Sequence, residues 1–313
     1  MILAVSLKLI RAVAVLLIVT FVTFSLMFGN GPGIARAVLG LNATPIDVQR
    51  EVVHLGLDQP LFVQYFKWLG GVLTGNLGSS FFTGQSVSEA LSTRLPVTLS
   101  VVLITLVLTV IISILLGVTA AVRGGWTDKV VQFLSVLGAA IPSFIIAILL
   151  IFAFALAVRL FPATGYVSPA QSVTGWLGSI TLPVIALLIG SVAGAASQFR
   201  SAVADVLGRD YVRTLRGRGV SERAVIYQHV LRNAAGPGLI VLSLQVIYLI
   251  GGAVVIELVF ALPGMGELIN TSAQQGDVPM VMGAVLATIV IVLVVNLLAD
   301  LAGAALNPKA RKA

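Results

Sequence analysis

A chain of 313 residues that is 58% hydrophobic and 10% charged, with a mean hydropathy of +1.08, has too little polar surface to cover a water-soluble globule. This excludes an ordinary soluble enzyme and places the chain in a membrane, where a net charge of +7 orients the protein rather than binding nucleic acid. The absence of cysteine rules out disulfides and thiolate metal sites.

The charges cluster, leaving charge-free windows at 12–35, 95–122, 130–158, 160–199, 233–256 and 278–299. Each is longer than the roughly 20 residues a helix needs to cross the hydrocarbon core. Six spanning helices follow, in an all-α polytopic membrane protein. The first apolar run, 12–28, is longer than a signal-peptide core and lacks a small-x-small cleavage site, so it reads as a retained span. With the N-terminus inside, fourteen of the nineteen Lys and Arg fall on inside segments, leaving Arg36, Arg50, Lys67, Arg94 and Arg159 outside. Both termini are then cytoplasmic.

The first part, 1–28, is the N-terminus and span one. The next, 29–95, is too long for a connector and is expected to fold as a small helical insertion outside the membrane. Thr44 and Pro45 read as the N-cap and first position of a helix closed by Gly56. Residues 61–69 read as a second short helix, with Tyr65, Phe66 and Trp68 at headgroup level. A third, over 87–94, leads into Pro96. The remainder, 96–313, holds spans two to six. Span two runs from Pro96 to Val122, span three is kinked at Pro142, and span four opens at Pro183 after a loop interrupted by Pro162 and Pro169. In span four, Gly190 and Gly194, Ser191 and Ala195, and Ala193 and Ser197 repeat a small-xxx-small spacing that allows close helix approach.

The reactive constellations of membrane enzymes are missing. No His-Glu-x-x-His ligand set, paired intramembrane aspartates or Gly-Lys-Ser/Thr phosphate loop occurs, and His54 and His229 fall on opposite sides of the membrane. No metal or catalytic site is expected. In span five Gln245, Tyr248 and Gly252 share one face at spacings of three and four; they either line a polar route or bond between helices. The cytoplasmic loop 207–233 has more pattern than a positive anchor needs. Gly217 and Gly219 break the helix entering from span four, Ser221 caps a new one, and Glu222–Leu231 forms a short amphipathic helix. On it Val225, Gln228 and Arg232 take one side and Ala224, Tyr227 and Leu231 another, leaving apolar groups for a partner groove.

The run from Asp210 to Arg223, DYVRTLRGRGVSER, continuing to His229-Val-Leu-Arg-Asn-Ala234, resembles the coupling loop of permease subunits in bacterial binding-protein-dependent ABC importers. The dipeptide and oligopeptide subgroup is the nearest. The family's EAA-x3-G pattern falls with its first three positions on Arg213, Thr214 and Leu215 and its glycine on Gly219; the literal Glu-Ala-Ala is absent. Other blocks resemble the family as well, among them 55–65, 75–80, 94–99, Ile141-Pro-Ser-Phe144, 161–165, 257–266 and 296–300.

The resemblance implies a type I ABC importer-like fold and a role as one half of a translocation pathway for peptides, in the bacterial inner membrane. The long first outer segment is similar to that of B-type subunits, which implies a C-type permease partner, two ATPase subunits and an extracytoplasmic substrate-binding protein. ATP and Mg would bind the ATPases, and this chain would hold no cofactor. Arg213, Gly219, Ser221, Glu222, Arg223, Ala224, Tyr227, His229 and Leu231 would form the ATPase contact. Pro263, Gly264 and Gly266 would form an outer loop that helps strip substrate from the binding protein. Nickel complexes, haem or another solute are alternative cargoes, and an ion-coupled carrier or channel is the competing class.

Overall fold

The computed structural model describes residues 2–306 apart from Asn30 and Leu41, with side chains described except at 2–9, 235–240, 242, 243 and 299–306. Of the fourteen Lys and Arg assigned to inside segments, the side chain of Lys8 and the tail residues Lys309, Arg311 and Lys312 lie outside the described set. Helices make up most of it: α1 (Ile2–Met27), α2 (Gly31–Leu39), α3 (Pro45–His54), α4 (Leu61–Leu73), α5 (Val87–Arg123), α6 (Gly125–Ala140), α7 (Ser143–Leu150, continued by π-helical turns over Ile151–Ala157), α8 (Val173–Leu207), α9 (Asp210–Gly217), α10 (Glu222–Ala224, continued by π-helical turns over Val225–Val230), α11 (Leu231–Val259), α12 (Met265–Gln275) and α13 (Val278–Leu306). Among the described residues the only β pairing is a single bridge, Ser79 to Ser86.

Four segments are long and apolar enough to cross a membrane: Ile10–Met27, α5, α8 and Val278–Leu298. The α6–α7 pair passes as a fifth, bent by 90° at its break. α11 has 29 residues, with Leu244–Val259 as its described apolar portion. At 1.5 Å per residue it measures about 43 Å, more than the ~30 Å core.

Three expected boundaries differ, each at a proline. Span two does not begin at Pro96: the short helix expected over 87–94 and the span are one continuous α5. Pro96 leaves the Ser92 carbonyl without its helical donor, yet the helix runs on through it. Span four likewise does not open at Pro183. α8 starts ten residues earlier at Val173, where the Ser172 hydroxyl caps Gly175 N at 3.1 Å, and Pro183 lies inside it. At Pro142 the effect is larger than a kink. Ile141 is extended (φ −91°, ψ 119°), as a residue before proline prefers, so α6 stops and α7 starts afresh.

The chain divides into two compact units. The first comprises residues to Val97 with Pro263–Leu293. Its α3 is built as its sequence indicates: Thr44 Oγ1 accepts from Asp47 N, Pro45 occupies the first turn, and Gly56 follows with φ +69°. One core gathers Phe24, Ile34, Tyr65, Val278 and Met282; another gathers Val87, Ala90 and Met280. Asp277, 2% exposed, ties the segment after α4 to the start of α13: it accepts from Ser80 Oγ and from Phe81 N at 3.2 Å, while its carbonyl accepts from Val281 N. α12, which the sequence reading did not anticipate, is held by an Arg94–Glu267 ion pair of 2.5 Å.

The second unit comprises Thr98–Leu262 with the described residues from Val294 on. α8 is its spine, packed by α6, α7 and α11, with Leu182, Leu187, Leu249 and Ile256 fully buried. Because lipid is as apolar as leucine, this packing is driven by close contact and interhelical hydrogen bonds rather than by water exclusion. Glu257 is completely buried and accepts from Thr98 Oγ1 at 2.5 Å. Just beyond it, Phe260 and Leu262 are both buried while Ala261 between them is exposed and forced to φ +48°. An L-residue in that region costs roughly 1–2 kcal/mol. Ala261→Gly is therefore expected to stabilise the purified protein by up to about 1 kcal/mol after glycine's own entropic cost. A lower thermal midpoint in detergent would contradict the strain.

Candidate functional site

The segment from Arg209 to Ala234 forms a small helical module with its own core. Val203, Val206, Val212, Val225, Val230 and Ala234 are buried together, with Tyr211, Leu215, Val220 and Leu231 packed around them. The helix arriving in α8 ends at Leu207, not at Gly217 as the sequence reading had it. Arg209 is extended (ψ 146°), and α9 starts separately at Asp210. Gly217 is simply the last residue of α9.

The decisive turn is at Gly219, with φ +77°. Its N–H donates to Arg216 O at 3.0 Å, and the next N–H, from Val220, donates to Leu215 O at 3.2 Å. This paired closure ends a helix with a left-handed residue, and the contact of Val220 and Leu215 with one core completes it. Ser221 Oγ then accepts from Ala224 N at 3.4 Å and starts α10. Across the turn, Arg216 Nε and Nη2 donate to Glu222 Oε2 and Oε1 at 3.0 and 2.5 Å. Arg216 was missed as a site residue because the pair spans six positions around a glycine turn, outside the three- and four-residue spacings that signal a helix pair. Its hydrogen bonds hold the Glu222 carboxyl below the ordinary glutamate range. The pair is therefore charged at neutral pH, and its contribution is lost only as pH falls through that lowered value.

The helix starting at Glu222 does not end at Leu231 as expected. No glycine, proline or cap intervenes; the backbone loosens into π-helical turns over 225–230 and passes directly into α11. The expected faces shift accordingly, since a π turn carries more residues than 3.6. Val225, placed with Gln228 and Arg232, is buried, with Ile226 and Val230 beside it, whereas Gln228 and Arg232 are exposed. Of the other expected group, Tyr227 is 69% exposed, and Ala224 and Leu231 are half-buried. Arg213, Ser221, Glu222 and Arg223 are exposed, and His229 is half-buried. Asn233 Nδ2 donates to His229 O at 2.7 Å and to Tyr211 Oη at 3.2 Å, joining the module to α11. The arrangement presents Glu222, Arg223, Tyr227 and Gln228 on one end of an otherwise uninterrupted helix.

Span five's candidates are less uniform than their spacing suggests. Gln245 is buried, with no partner for Nε2, while Tyr248 is half-exposed. The Tyr248 hydroxyl comes so close to Gly190 that a Cβ there would lie 3.1 Å away, and a Cβ on Gly252 would lie 3.0 Å from Leu187 Cδ2. These contacts bind α11 to α8. In the outer-loop candidates, Pro263 is exposed, and Gly264 and Gly266 are buried at the start of α12, where Gly264 O accepts from Leu268 N at 3.1 Å.

Comparison with known proteins places the sequence in a family. Residues 113–312 match the family described as binding-protein-dependent transport system inner membrane component, and residues 1–102 match the N-terminal domain of such membrane components. A Brucella melitensis protein named as a peptide transport system permease is 39% identical over 302 residues, 96% of each chain. The dipeptide transport system permease protein DppB of Bacillus subtilis is 36% identical over 299 residues, 95% of this chain and 94% of its own. A Sinorhizobium fredii protein named as a peptide ABC transporter permease is 36% identical over 306 residues, 97% of both. The chain belongs to the family of binding-protein-dependent transport system inner membrane components, as a multi-pass helical permease.

Proposed function

We propose that this chain is the B-type permease of a peptide importer, pairing with a C-type permease to enclose the pathway. The relatives named for peptide and dipeptide transport support the cargo. Two partner ATPases bind ATP and Mg and grip the exposed residues around Gly219 and Tyr227, and a substrate-binding protein delivers peptide at the opposite face. Both termini lie in the cytoplasm, which puts the basic α9–α10 module on the ATPase side.

One observation carries the mechanism: the backbone is helical without a break from Glu222 to Val259, about 55 Å. A displacement at the ATPase contact is therefore passed along one continuous helical backbone, through Gly236-Pro237-Gly238, to the far end of α11. Closure of the ATPases favours one position of this lever, which opens the pathway toward the binding protein. Tyr248, on the half-exposed side of α11, faces the moving pathway, and Pro263 marks the tip that meets the delivered peptide.

Reconstitution tests the assignment. Peptide uptake into vesicles is expected only when this chain, its permease partner, both ATPases and the binding protein are present with ATP. Flux through the chain alone would instead establish a channel or ion-coupled carrier.

A further inference from the structure

The short helix α4 carries a side the first unit leaves uncovered. Its Leu61, Tyr65, Trp68 and Leu69 turn into the core with Phe24 and Met282, while Phe62 (62% exposed), Val63, Phe66 (62%) and Leu73 (82%) point outward. At 100° per residue, Phe62, Leu73, Phe66, Gly70 and Val63 fall within one arc of about 100°, and Lys67 stands at its edge. Four large apolar side chains on one helical arc do not face water without cause.

Contacts with α1 set the depth of this helix. Tyr65 was expected at headgroup level, yet it points inward. Its ring packs edge-on to Phe21 and Phe24 at centroid separations of 5.2 and 5.7 Å. Its hydroxyl lies 3.0 Å from Thr20 Oγ1 and donates to Leu17 O at 3.3 Å. Thr20 and Leu17 lie seven and ten residues before Met27, the end of the apolar stretch Ile10–Met27, or about 10 and 15 Å into it. Half the hydrocarbon thickness is about 15 Å. The contacts that pin α4 thus lie about 10–15 Å inside the end of that stretch, within the hydrocarbon and at or beyond the 5–10 Å at which in-plane amphipathic helices sit.

The uncovered side is also continuous with a membrane-facing one. Phe62 stacks on Phe21 at 5.6 Å, and Leu17 and Ile18, one turn earlier on α1, are exposed to the same surroundings. We propose that α4 is a membrane-embedded in-plane helix whose Phe62, Val63, Phe66 and Leu73 side is solvated by the acyl chains of the leaflet on that side. Lys67 extends its stem along this side and places its ammonium among the headgroups. The insertion is then a lipid-anchored element that fixes α1 to the leaflet from which substrate is delivered.

The chain has no cysteine, so Phe66→Cys and Leu73→Cys, spin-labelled in the complete transporter with cysteine-free partners and reconstituted in phospholipid vesicles, report the surroundings directly. Collision with molecular oxygen, relative to a water-soluble nickel chelate, is expected to be several-fold higher at both positions than at Arg50→Cys on the exposed side of α3. A ratio equal to that at position 50 would place the helix in water and overturn the proposal. Exclusion of both reagents at both positions would show a protein partner on this side, and would overturn it equally.

Discussion

Replacing Gly219 by valine is expected to abolish ATP-driven uptake while leaving the chain in the membrane. The residue sits at φ +77° between α9 and α10, a conformation that costs an L-residue roughly 1–2 kcal/mol and a β-branched one more. That cost is small against the packing of the spans, so insertion survives. It is large against a local turn held by two backbone hydrogen bonds and the Arg216–Glu222 pair. A shift of 1–2 kcal/mol changes a two-state population by about 5- to 30-fold. When the turn opens, the cap at Ser221 loses its register, and Glu222, Arg223 and Tyr227 no longer stand where a partner meets them. ATPase copurification is expected to fall in parallel with uptake. Asparagine tolerates the left-handed region, so Gly219→Asn is expected to retain a substantial part of both activities. Wild-type copurification and uptake in the valine variant would remove this turn from the coupling path, and equal failure of valine and asparagine would show that bulk, not backbone conformation, is what the site rejects.

The turn was legible because glycine, a following capping serine and an acidic residue are local signals. What the sequence did not reveal is where the helix beyond it ends. Nothing between Glu222 and Leu231 forces a stop, yet amphipathic spacing at 3.6 residues suggested a separate short helix; the π-helical turns that merge it with α11 leave no signature in composition, and Gly236-Pro237-Gly238 lies inside α11 without ending it. Prolines misled in the same way at positions 96 and 183. Their cost in an isolated helix is real, but within a bundle the surrounding contacts carry the helix on past the proline. At Pro142 the same residue type ends a helix outright, because Ile141 is released into an extended conformation. The hydropathy pattern located the apolar segments, and tertiary context decided what each proline does. The exposed side of α4 shows the reverse limit. Its aromatic residues were readable as membrane-seeking, but which of them turn inward depends on Thr20 and Leu17, more than forty residues away in sequence.

Gly117→Val is expected to be the most damaging single substitution in the second unit, by preventing α5 from seating on α8. A Cβ at this position would lie 2.8 Å from the Arg200 backbone nitrogen, 2.8 Å from Phe199 Cβ and 2.9 Å from the Ala196 carbonyl oxygen. Two of the three are backbone atoms, so no rotamer change relieves the clash and the helices must part. Overpacking of this kind costs typically 1–3 kcal/mol, and separation at this level also strains the bidentate pair in which Arg200 Nε and Nη2 donate to Asp128 at 2.7 and 2.5 Å. Even Gly117→Ala introduces the offending atom and is expected to lower the thermal midpoint. Gly194→Ala is the matched control. It belongs to the small-residue repeat that marked span four in the sequence, yet nothing lies within 4 Å of a Cβ there, so the fold of the isolated chain is expected to tolerate it. The small-residue spacing marks Gly190 and Ala193, where neighbouring helices do come close, but it does not separate them from Gly194, because spacing reports that a helix face is smooth and not whether another helix occupies each point of it; Gly117 stands alone in an apolar run and draws attention only through its contacts. Thermal unfolding of the two alanine variants in detergent decides the matter: equal midpoints would mean that α5 and α8 are not in the close contact described.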